Sequence, residues 1–600
     1  MAAKEPKKSV PVGGGTSALT PALSPWRGRM AVRLTTLLAE FHGRTGEKVP
    51  SLRMRPGNPG FWALVGGMVA LESRAMSQML KSSGLMALAT LTSRILGMVR
   101  EMVYASFMGD GWVAGAFTMA FQIPNLFRRL LGEGALTAAF IPIFKEKEKR
   151  DGEGEMWRAA NAVISGLLVT ASIIIALVML GLTVALAVHH FPDKTDLMLR
   201  LLRVMFPYML PVCLTAIFMG MLNARGFFFI PALGATMLNL VMIASVLWVA
   251  PHFGQALPTQ IYALAIGVLV AGVAQGAFQL PALFRNGFAY RWVSPWRDST
   301  VRLVVRRMVP GMIGLAAFQI NVLLTQIMGF WVDPHIVASF NYAVRLMELP
   351  QGMFGISLAT FLLPTLAGLA AEKNYGEFRS TLRHGVATLL FANLLAATLL
   401  VVLAEPIIRL LFERGEFTAL STQRTTWALV CLAPGLVAFS TVNVLVRAFY
   451  ALGDTQTPMK ISMVCLGLNL AIAAALVVPL HQGGLGIANT ITSAVNVGLL
   501  LFALRKKLAR LDMAPLRRTL VPLAVAALAA GLIAWEGWRL WEETLGHATL
   551  PRKVGAVFAP AVAAGVVYVV ITLTCHIPAA KEILGMVRAR LGKGRKKSDG

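Results

Sequence analysis

The stretch AFQIPNLFRRLLGEGAL, from Ala120 to Leu136, places Arg128 and Arg129 side by side in an almost wholly apolar run, shortly after Pro124. A charged side chain near the middle of a bilayer costs about 2.5–3.5 kcal/mol on insertion scales, so charges that remain there usually face a cavity or a partner. Proline removes a helical hydrogen bond and clashes with the preceding turn, so we expect a kink or break before Asn125. The stretch therefore predicts a membrane helix that borders a charged cavity.

The rest of the chain has the composition of a polytopic, all-α membrane protein. Of its 600 residues, 56% are hydrophobic and only 14% are charged, and the mean hydropathy is +0.66. About 20 consecutive apolar residues cross the hydrocarbon core as a helix, whereas strands of a membrane barrel would alternate polar and apolar residues. The apolar runs predict about fourteen spans, at 83–107, 112–141, 157–189, 198–224, 231–252, 258–283, 300–330, 334–371, 377–404, 416–452, 456–480, 484–506, 515–541 and 551–576.

The net charge of +27 would suggest nucleic acid as a partner of a soluble protein, but here it reflects topology. Lysine and arginine concentrate in alternate joints between spans, such as KEKEKRDGEGEMWR and RKKLARLDMAPLRR, and in the C-terminal tail. Because basic residues stay on the cytoplasmic side of a membrane, this pattern predicts that both termini are cytoplasmic. We expect no nucleic-acid partner.

The span count allows a division into two lobes of six helices and a final pair. The predicted parts are a disordered extension 1–75 rich in Gly, Pro and Ser, an N-lobe 76–283, an interfacial linker helix 284–299, a C-lobe 300–506, a C-terminal helix pair 507–580 and a basic cytoplasmic tail 581–600. The linker is predicted as an amphipathic helix because Tyr290, Trp292 and Trp296 alternate there with arginines.

Two further groups of charges lie in apolar spans. Arg94 and Arg100 are six residues apart, so they lie within roughly 120° of each other on a helix and could border one cavity. Arg345 and Glu348 are three residues apart on one helix face, where they can pair. Each group marks a span that borders polar space.

Helix breaks and ion pairs complete the pattern. We expect Pro350 and Gly352 to break the helix after Glu348, as Pro124 does before Asn125, because broken helices are tolerated at membrane depth where they line a cavity. Glu133 follows Arg129 by one turn, so these two can form a purely structural pair. The other arginines outnumber the nearby carboxylates, and surplus arginine in a cavity predicts an anionic ligand, with phosphate suited to its planar fork.

Four segments carry a resemblance to a known family: SRILGMVRE, PNLFRRLLGEGALTAAFIPIF, YAVRLMELPQGMFGISLATFLLPTL and RAFYALGDTQTP. From about Met76 onward the chain resembles the MurJ (MviN) lipid II flippases of the multidrug/oligosaccharidyl-lipid/polysaccharide exporter superfamily. The resemblance implies fourteen helices in two lobes around a cationic cavity, with a lipid-tail groove at the last two. It implies transport of undecaprenyl-pyrophosphate-disaccharide-pentapeptide from the cytoplasmic to the periplasmic leaflet of the bacterial inner membrane, for cell-wall synthesis.

The resemblance also implies site residues, position by position. The family's essential cavity arginines correspond to Arg94, Arg100, Arg128 and Arg345, and an acidic cavity residue corresponds to Glu348. We expect Arg94, Arg128 and Arg345 to bind the pyrophosphate and nearby sugar groups, with Asn125 beside them. Pro124, Pro350 and Gly352 are the expected hinges, and Arg129 with Glu133 the expected supporting pair.

Departures from the family's pattern limit what carries over. Gly115 and Val344 stand where relatives often have acids, so the roles of those acids do not transfer. In the spans where some relatives hold sodium, the seventh and eleventh, Asn469 is the polar residue and no acid is present, so we expect no sodium coupling of that kind. No Gly-rich ATP loop is present. We therefore expect no cofactor or metal, and the membrane potential or another ion gradient stays open as the energy source.

Several readings of the sequence remain. We expect a non-enzymatic transporter that works by alternating access on lipid II, surrounded by membrane lipids, with the cell-wall synthesis machinery as a further candidate partner. The alternatives within transport are a related lipid-linked polysaccharide flippase and a drug/cation antiporter, which would carry uncompensated acids in its cavity. A membrane glycosyltransferase would need a cluster of loop carboxylates, and an inert scaffold would tolerate removal of the cavity charges.

Overall fold

The computed structural model describes residues 91–130, 135–296, 298–508 and 514–582, together with the isolated residues 89 and 585. The predictions made for residues 1–75, for Glu133 and for most of the tail 581–600 fall outside these ranges.

The first half of the described chain is helical throughout, with short turns between the helices. Its helices are α1 (91–108), α2 (Trp112–Phe127), α3 (Ala135–Val188), α4 (Asp193–Met205), α5 (Met209–Ala224), α6 (Phe229–Ala244) and α7 (Leu257–Arg285). A 3-10 turn at Phe206–Tyr208 joins α4 to α5, and a π turn at Ser245–Val249 extends α6.

The second half continues in the same way. Its helices are α8 (Ser299–Val332), α9 (Pro334–Pro350), α10 (Ser357–Ala371), α11 (Tyr375–Val402), α12 (Ala404–Leu411), α13 (Ala419–Leu432), α14 (Gly435–Ala451), α15 (Gln456–Leu480), α16 (Gln482–Lys507), α17 (Ala514–Thr544) and α18 (Leu550–Thr574). A π turn at Gln351–Ile356 links α9 to α10, so these two helices form one long span.

Within the described ranges, ten helices are long and apolar enough to cross a membrane, and eleven if α13 and α14, bent by 46°, count as one span. The all-helical class predicted from the sequence is therefore confirmed, and several bounds agree closely, such as 456–480 with Gln456–Leu480. The count of fourteen stays a prediction. Two of the predicted spans do not meet this measure: α2 has 16 residues, and α8 counts only over Ala316–Val332, although its charge-free sequence runs from Met308 to Val332.

Of the two prolines in the charged spans, Pro350 ends its helix as expected, whereas Pro124 does not break its own. The helix α2 is not broken before Asn125, because it continues through Pro124 to Phe127 and only then widens into a π turn at residues 128–130. In α9, Pro350 is the last helical residue and the π turn follows it directly. Both prolines are thus followed by a wider turn, a feature frequent at functional sites.

The predictions for two segments between spans also differ from the structure. The basic joint KEKEKRDGEGEMWR is helical and belongs to α3, which changes direction at Gly152, where φ is +85°. Conversely, the predicted linker helix 284–299 is absent: α7 ends at Arg285, and residues 288–296 form no helix. Gly287 has a φ of +86°, and Pro295 cannot donate a helical hydrogen bond, so both oppose a continuous helix.

Two clusters of buried apolar side chains hold the helices together. The larger cluster joins α1–α7 to α8, α9, α13 and α16, and the smaller one holds α10, α11 and α14 against α17 and α18. A buried hydrogen bond from Tyr568 Oη to Phe391 O, 2.8 Å long, ties α18 to α11. The larger cluster therefore surrounds the space between the two halves of the chain.

Candidate functional site

A cavity of about 530 Å³, with charged and amide side chains among the apolar ones of its wall, lies between the two halves of the chain. Its wall is built by α1, α2, α6 and α7 from the first half and by α8, α9, α13, α14, α15 and α16 from the second. Its charged lining side chains are Arg100, Glu101, Arg129, Arg345 and Glu348. Arginines therefore outnumber carboxylates on the described wall, as expected from the sequence.

Glu101 links the two halves of this wall. Its Oε1 atom lies 2.5 Å from Arg100 Nη2 on its own helix and 3.5 Å from Arg345 Nε on α9. Arg345 also donates to Glu348 Oε2 at 2.8 Å, which is the pair predicted from their spacing. Among the described residues, the buried Nε of Arg100 has no hydrogen-bond partner. The two arginines thus share Glu101, Arg345 has a second carboxylate in Glu348, and the Nε–H group of Arg100 can still donate to another anion.

Arg128 and Arg129, in the π turn that follows α2, have exchanged the roles that the sequence predicted for them. Arg129, expected to support the fold, lines the cavity and donates to Gln319 Oε1 at 3.2 Å. The neighbouring Arg128 is not part of the cavity lining and donates to Asn125 Oδ1 at 2.6 Å, while Asn125 does line it. The π turn at residues 128–130 advances each side chain by a smaller angle than an α turn, which changes the side that each one faces.

Arg94 lies outside the lining of the cavity, against the π turn that follows α9. A Cβ atom added to Gly352 would lie 2.3 Å from Arg94 Nη1, so the guanidinium packs directly on the backbone there. The absence of a side chain at Gly352 makes room for Arg94, in addition to any role as a hinge.

Glu101 and, apart from the predicted Asn125, the amides of the wall were not among the predicted site residues. The amide side chains that line the cavity are Gln122, Asn125, Asn321, Gln326, Asn341, Gln351, Asn443, Asn469 and Asn489. They come from six helices and one π turn, and their only sequence signal is an isolated amide in an apolar span. Such groups can donate to and accept from hydroxyls and amides, so the wall suits a ligand with both sugar and peptide character.

At one end of the cavity, where Met108 lines it, contacts join the end of α1 and the α1–α2 turn to the second half, and we call this region the closed end. There the backbone N–H of Glu416 donates to Ser106 O at 2.9 Å. Gly415 has a φ of +57°, and an added Cβ would lie 2.2 Å from Ser106 O. Only glycine permits this approach of two backbones.

A buried carboxylate adds to the closed end. Asp110 accepts from Ser421 Oγ at 2.7 Å, and Arg424 Nη1 lies 3.5 Å from it and 2.9 Å from His335 Nδ1. Burial alone would raise the pKa of Asp110, but hydrogen bonds from His335 and Ser421 and the charge of Arg424 together lower it. The carboxylate is therefore held in its charged form.

Two further observations concern positions where the sequence departs from the family's pattern of acidic residues. An added Cβ on Gly115 would lie 2.7 Å from Pro334 O, so an acidic side chain would not fit there in this conformation. Within the described ranges, no group of three or more His, Cys, Asp or Glu is placed to hold a metal ion.

Helices around a central polar cavity, closed at one end, are the architecture of a membrane transporter of the exporter type. Two solved structures share this fold. One is entitled "Lipid II flippase MurJ, inward closed conformation", with a TM-score of 0.67 at 21% identity, and covers 81% of this chain and 98% of its own. The other, an inward-facing multidrug resistance MATE family transporter of the MOP superfamily, has a TM-score of 0.60 at 15% identity and covers 70% and 98%.

The sequence comparisons identify the family. The family model described as "Lipid II flippase MurJ" matches residues 104–554. A protein of Bdellovibrio bacteriovorus named "Probable lipid II flippase MurJ" is 35% identical over 475 residues, which cover 76% of this chain and 88% of that protein. The chain therefore belongs to the lipid II flippase MurJ family, a family of transporters rather than enzymes, and is a multi-pass protein of the bacterial inner membrane.

Proposed function

We propose that this protein moves lipid II, the undecaprenyl-pyrophosphate-linked precursor of peptidoglycan, from the cytoplasmic to the periplasmic leaflet. The observation that carries the proposal is the cavity in which Arg100 and Arg345, from the two halves of the chain, meet at Glu101, with Arg129 as a third arginine against the two carboxylates of Glu101 and Glu348. A pyrophosphate can take the place of the Glu101 carboxylate and accept hydrogen bonds from arginines of both halves. The family membership supplies the identity of the lipid.

The headgroup would be held by charge and by amides together. The pyrophosphate would accept from Arg100, Arg345 and Arg129, with Arg94 and Arg128 behind the wall keeping the local potential positive. Charge-assisted bonds to arginine are roughly twice as strong as neutral ones, and burying an unpaired phosphate would cost many kcal/mol. The lining amides would bind the sugars and the peptide, while the polyprenyl tail stays in lipid beside α17 and α18.

Transport would proceed by alternating access between two lobes, six spans each, with both termini in the cytoplasm. In the state described here the closed end would face the periplasm, and the contacts of Asp110 and Gly415 would have to separate for release. Outward movement of a net negative charge would be favoured by the inside-negative potential, by roughly 2.3 kcal/mol per elementary charge per 100 mV. Interaction of the basic cytoplasmic loops with the cell-wall synthesis machinery would couple the transport of lipid II to peptidoglycan synthesis.

Complementation of a flippase-depleted bacterium tests this function. We expect the wild-type chain to restore growth, and Arg100→Ala and Arg345→Ala, expressed at equal levels, to fail. The matched control is Arg200→Ala, because Arg200 is exposed and pairs with Asp196 at 2.6 Å away from the cavity. Rescue by all the variants would remove the cavity arginines from the mechanism, and failure of the wild type would contradict the function.

A further inference from the structure

The segment between α7 and α8, residues 286–296, lies as an extended strap along one side of α3. Asn161 Nδ2 donates to Ala289 O at 3.0 Å, and Ser165 Oγ lies 3.2 Å from Tyr290 Oη and accepts from Val293 N at 3.4 Å. Asn161 and Ser165 are one turn apart and face the same way. These bonds hold the strap in one conformation without helical hydrogen bonds.

The strap turns its backbone and the buried Phe288 toward the protein and its two tryptophans away from it. Trp292 is 60% exposed and Trp296 is 72% exposed, although Pro295 between them is buried. Tryptophan is enriched where a membrane meets water, because its ring is apolar and its N–H group can donate to headgroups. Two exposed tryptophans on an anchored segment therefore indicate a surface that meets the membrane interface.

Uncompensated positive charge follows the strap directly. The helix α8 is capped by Asp298, whose Oδ1 accepts from Thr300 N at 2.8 Å, and its first turns carry the exposed Arg302, Arg306 and Arg307. In the described part of the chain, no carboxylate lies within 4.0 Å of these three guanidinium groups. Their charge is available to a partner outside the protein.

The length of α8 puts these arginines at headgroup depth. The helix has 34 residues, or about 51 Å at 1.5 Å per residue, against a hydrocarbon core of about 30 Å. Its charge-free sequence runs from Met308, directly after Arg307, to Val332, or about 37 Å of helix. The arginine-bearing turns therefore extend beyond the hydrocarbon, next to the strap.

We propose that the strap and the first turns of α8 form a binding surface for anionic phospholipid headgroups, with Trp292 and Trp296 in the interface and Arg302, Arg306 and Arg307 on the phosphates. Aromatic and basic side chains beside a membrane span match a lipid surface better than an acidic protein, because a soluble partner would not need the tryptophans at the interface. Since the strap is anchored to α3 and continuous with α8, bound lipid holds the junction between the two halves of the chain at the bilayer surface.

Fluorescence quenching in nanodiscs tests the proposal on the full chain. Two preparations have the same phosphatidylcholine and phosphatidylglycerol content, with an equal amount of brominated lipid that is either the anionic or the zwitterionic species. The difference in fluorescence between the wild type and the Trp292→Phe/Trp296→Phe variant gives the component that comes from the strap's two tryptophans. We expect brominated phosphatidylglycerol to quench this component about twofold more strongly, because basic side chains enrich anionic lipid around them.

Arg302→Gln/Arg306→Gln/Arg307→Gln should abolish that preference while leaving quenching by zwitterionic lipid in place. The matched control is Lys147→Gln/Arg150→Gln on α3, whose side chains already pair with Asp151 at 2.8 and 3.0 Å, and it should keep the preference. Equal quenching by both lipids in the wild type overturns the proposal. An equal loss of the preference in the control variant also overturns it, because net charge alone would then explain the preference. An absence of quenching by either lipid overturns it as well, and would assign the surface to a soluble partner.

Discussion

The cavity wall and the closed end both join the two halves of the chain through arginine and carboxylate groups, but they use charge differently. At the closed end Asp110 is only 3% exposed and is bonded by Ser421 and Arg424. On the cavity wall the Arg345 side chain is 41% exposed and shares Glu101 with Arg100. A buried carboxylate with several partners holds a conformation, whereas arginines that line an open cavity can exchange a carboxylate partner for a ligand.

Gly415→Ala should have the largest effect on the stability of the closed end. The new Cβ would meet Ser106 O at 2.2 Å, and the residue would keep its left-handed φ of +57°. We expect a loss of about 3 kcal/mol or more in stability, measured as a lowered Tm in detergent. The control is Gly453→Ala, which has a φ of +73° but no atom within 4 Å of an added Cβ. Equal Tm values for the two variants would contradict the tight closure.

Asp110→Asn should weaken the closed end without a steric clash. Arg424 would lose its carboxylate, and a hydrogen bond to a charged group contributes about 1.5–3 kcal/mol. We expect faster labelling of a cysteine at the cavity position Thr118 by an impermeant thiol reagent added from the periplasmic side, in a background lacking the four native cysteines. Asp151→Asn, on the distant exposed part of α3, is the control. Unchanged labelling would show that Asp110 does not hold the closure.

Glu101→Gln should strengthen anion binding in the cavity. The amide keeps the shape of the side chain but removes the carboxylate that Arg100 and Arg345 share, so a pyrophosphate competes only with Glu348 for Arg345. We expect undecaprenyl pyrophosphate to bind roughly three- to tenfold more tightly, measured by thermophoresis of the purified protein. Glu348→Gln, which affects Arg345 alone, should give a smaller gain. Weaker binding by Glu101→Gln would assign Glu101 a direct role in holding the ligand.

Gly352→Ala should have the smallest effect of the series. The nearest atoms to its Cβ would all belong to the guanidinium of Arg94, which can move away. We therefore expect the free energy of unfolding to fall by less than about 1 kcal/mol and growth rescue to fall modestly. The control is Gly368→Ala in the same span, where an added Cβ meets no atom within 4 Å. Identical rescue by both variants would separate Arg94 from transport.

The sequence predicted the features that depend on local spacing. The 3.6-residue period and the apolar runs predicted the helices, and the three-residue separation of Arg345 and Glu348 predicted their pairing. The excess of arginine over carboxylate in apolar spans predicted a cationic cavity, because both quantities are counted along the chain.

Features that depend on packing between distant segments were missed. Glu101 belongs to both halves only because α1 meets α9, and the exchange of places between Arg128 and Arg129 follows from a π turn that has no clear sequence signature. The linker helix was wrong because its amphipathic pattern was considered alone, whereas Asn161 and Ser165 of α3 hold the segment extended. In each case the deciding contact comes from residues more than one hundred positions away or from a local change of helix type.

The binding of undecaprenyl pyrophosphate to Arg345→Gln tests most directly whether the cavity arginines hold the pyrophosphate across the two halves. Loss of one charge-assisted contact should weaken binding about 10- to 100-fold relative to the wild type, while Arg200→Gln should bind as the wild type does. Equal affinities for all three proteins, at unchanged Tm, would contradict the account.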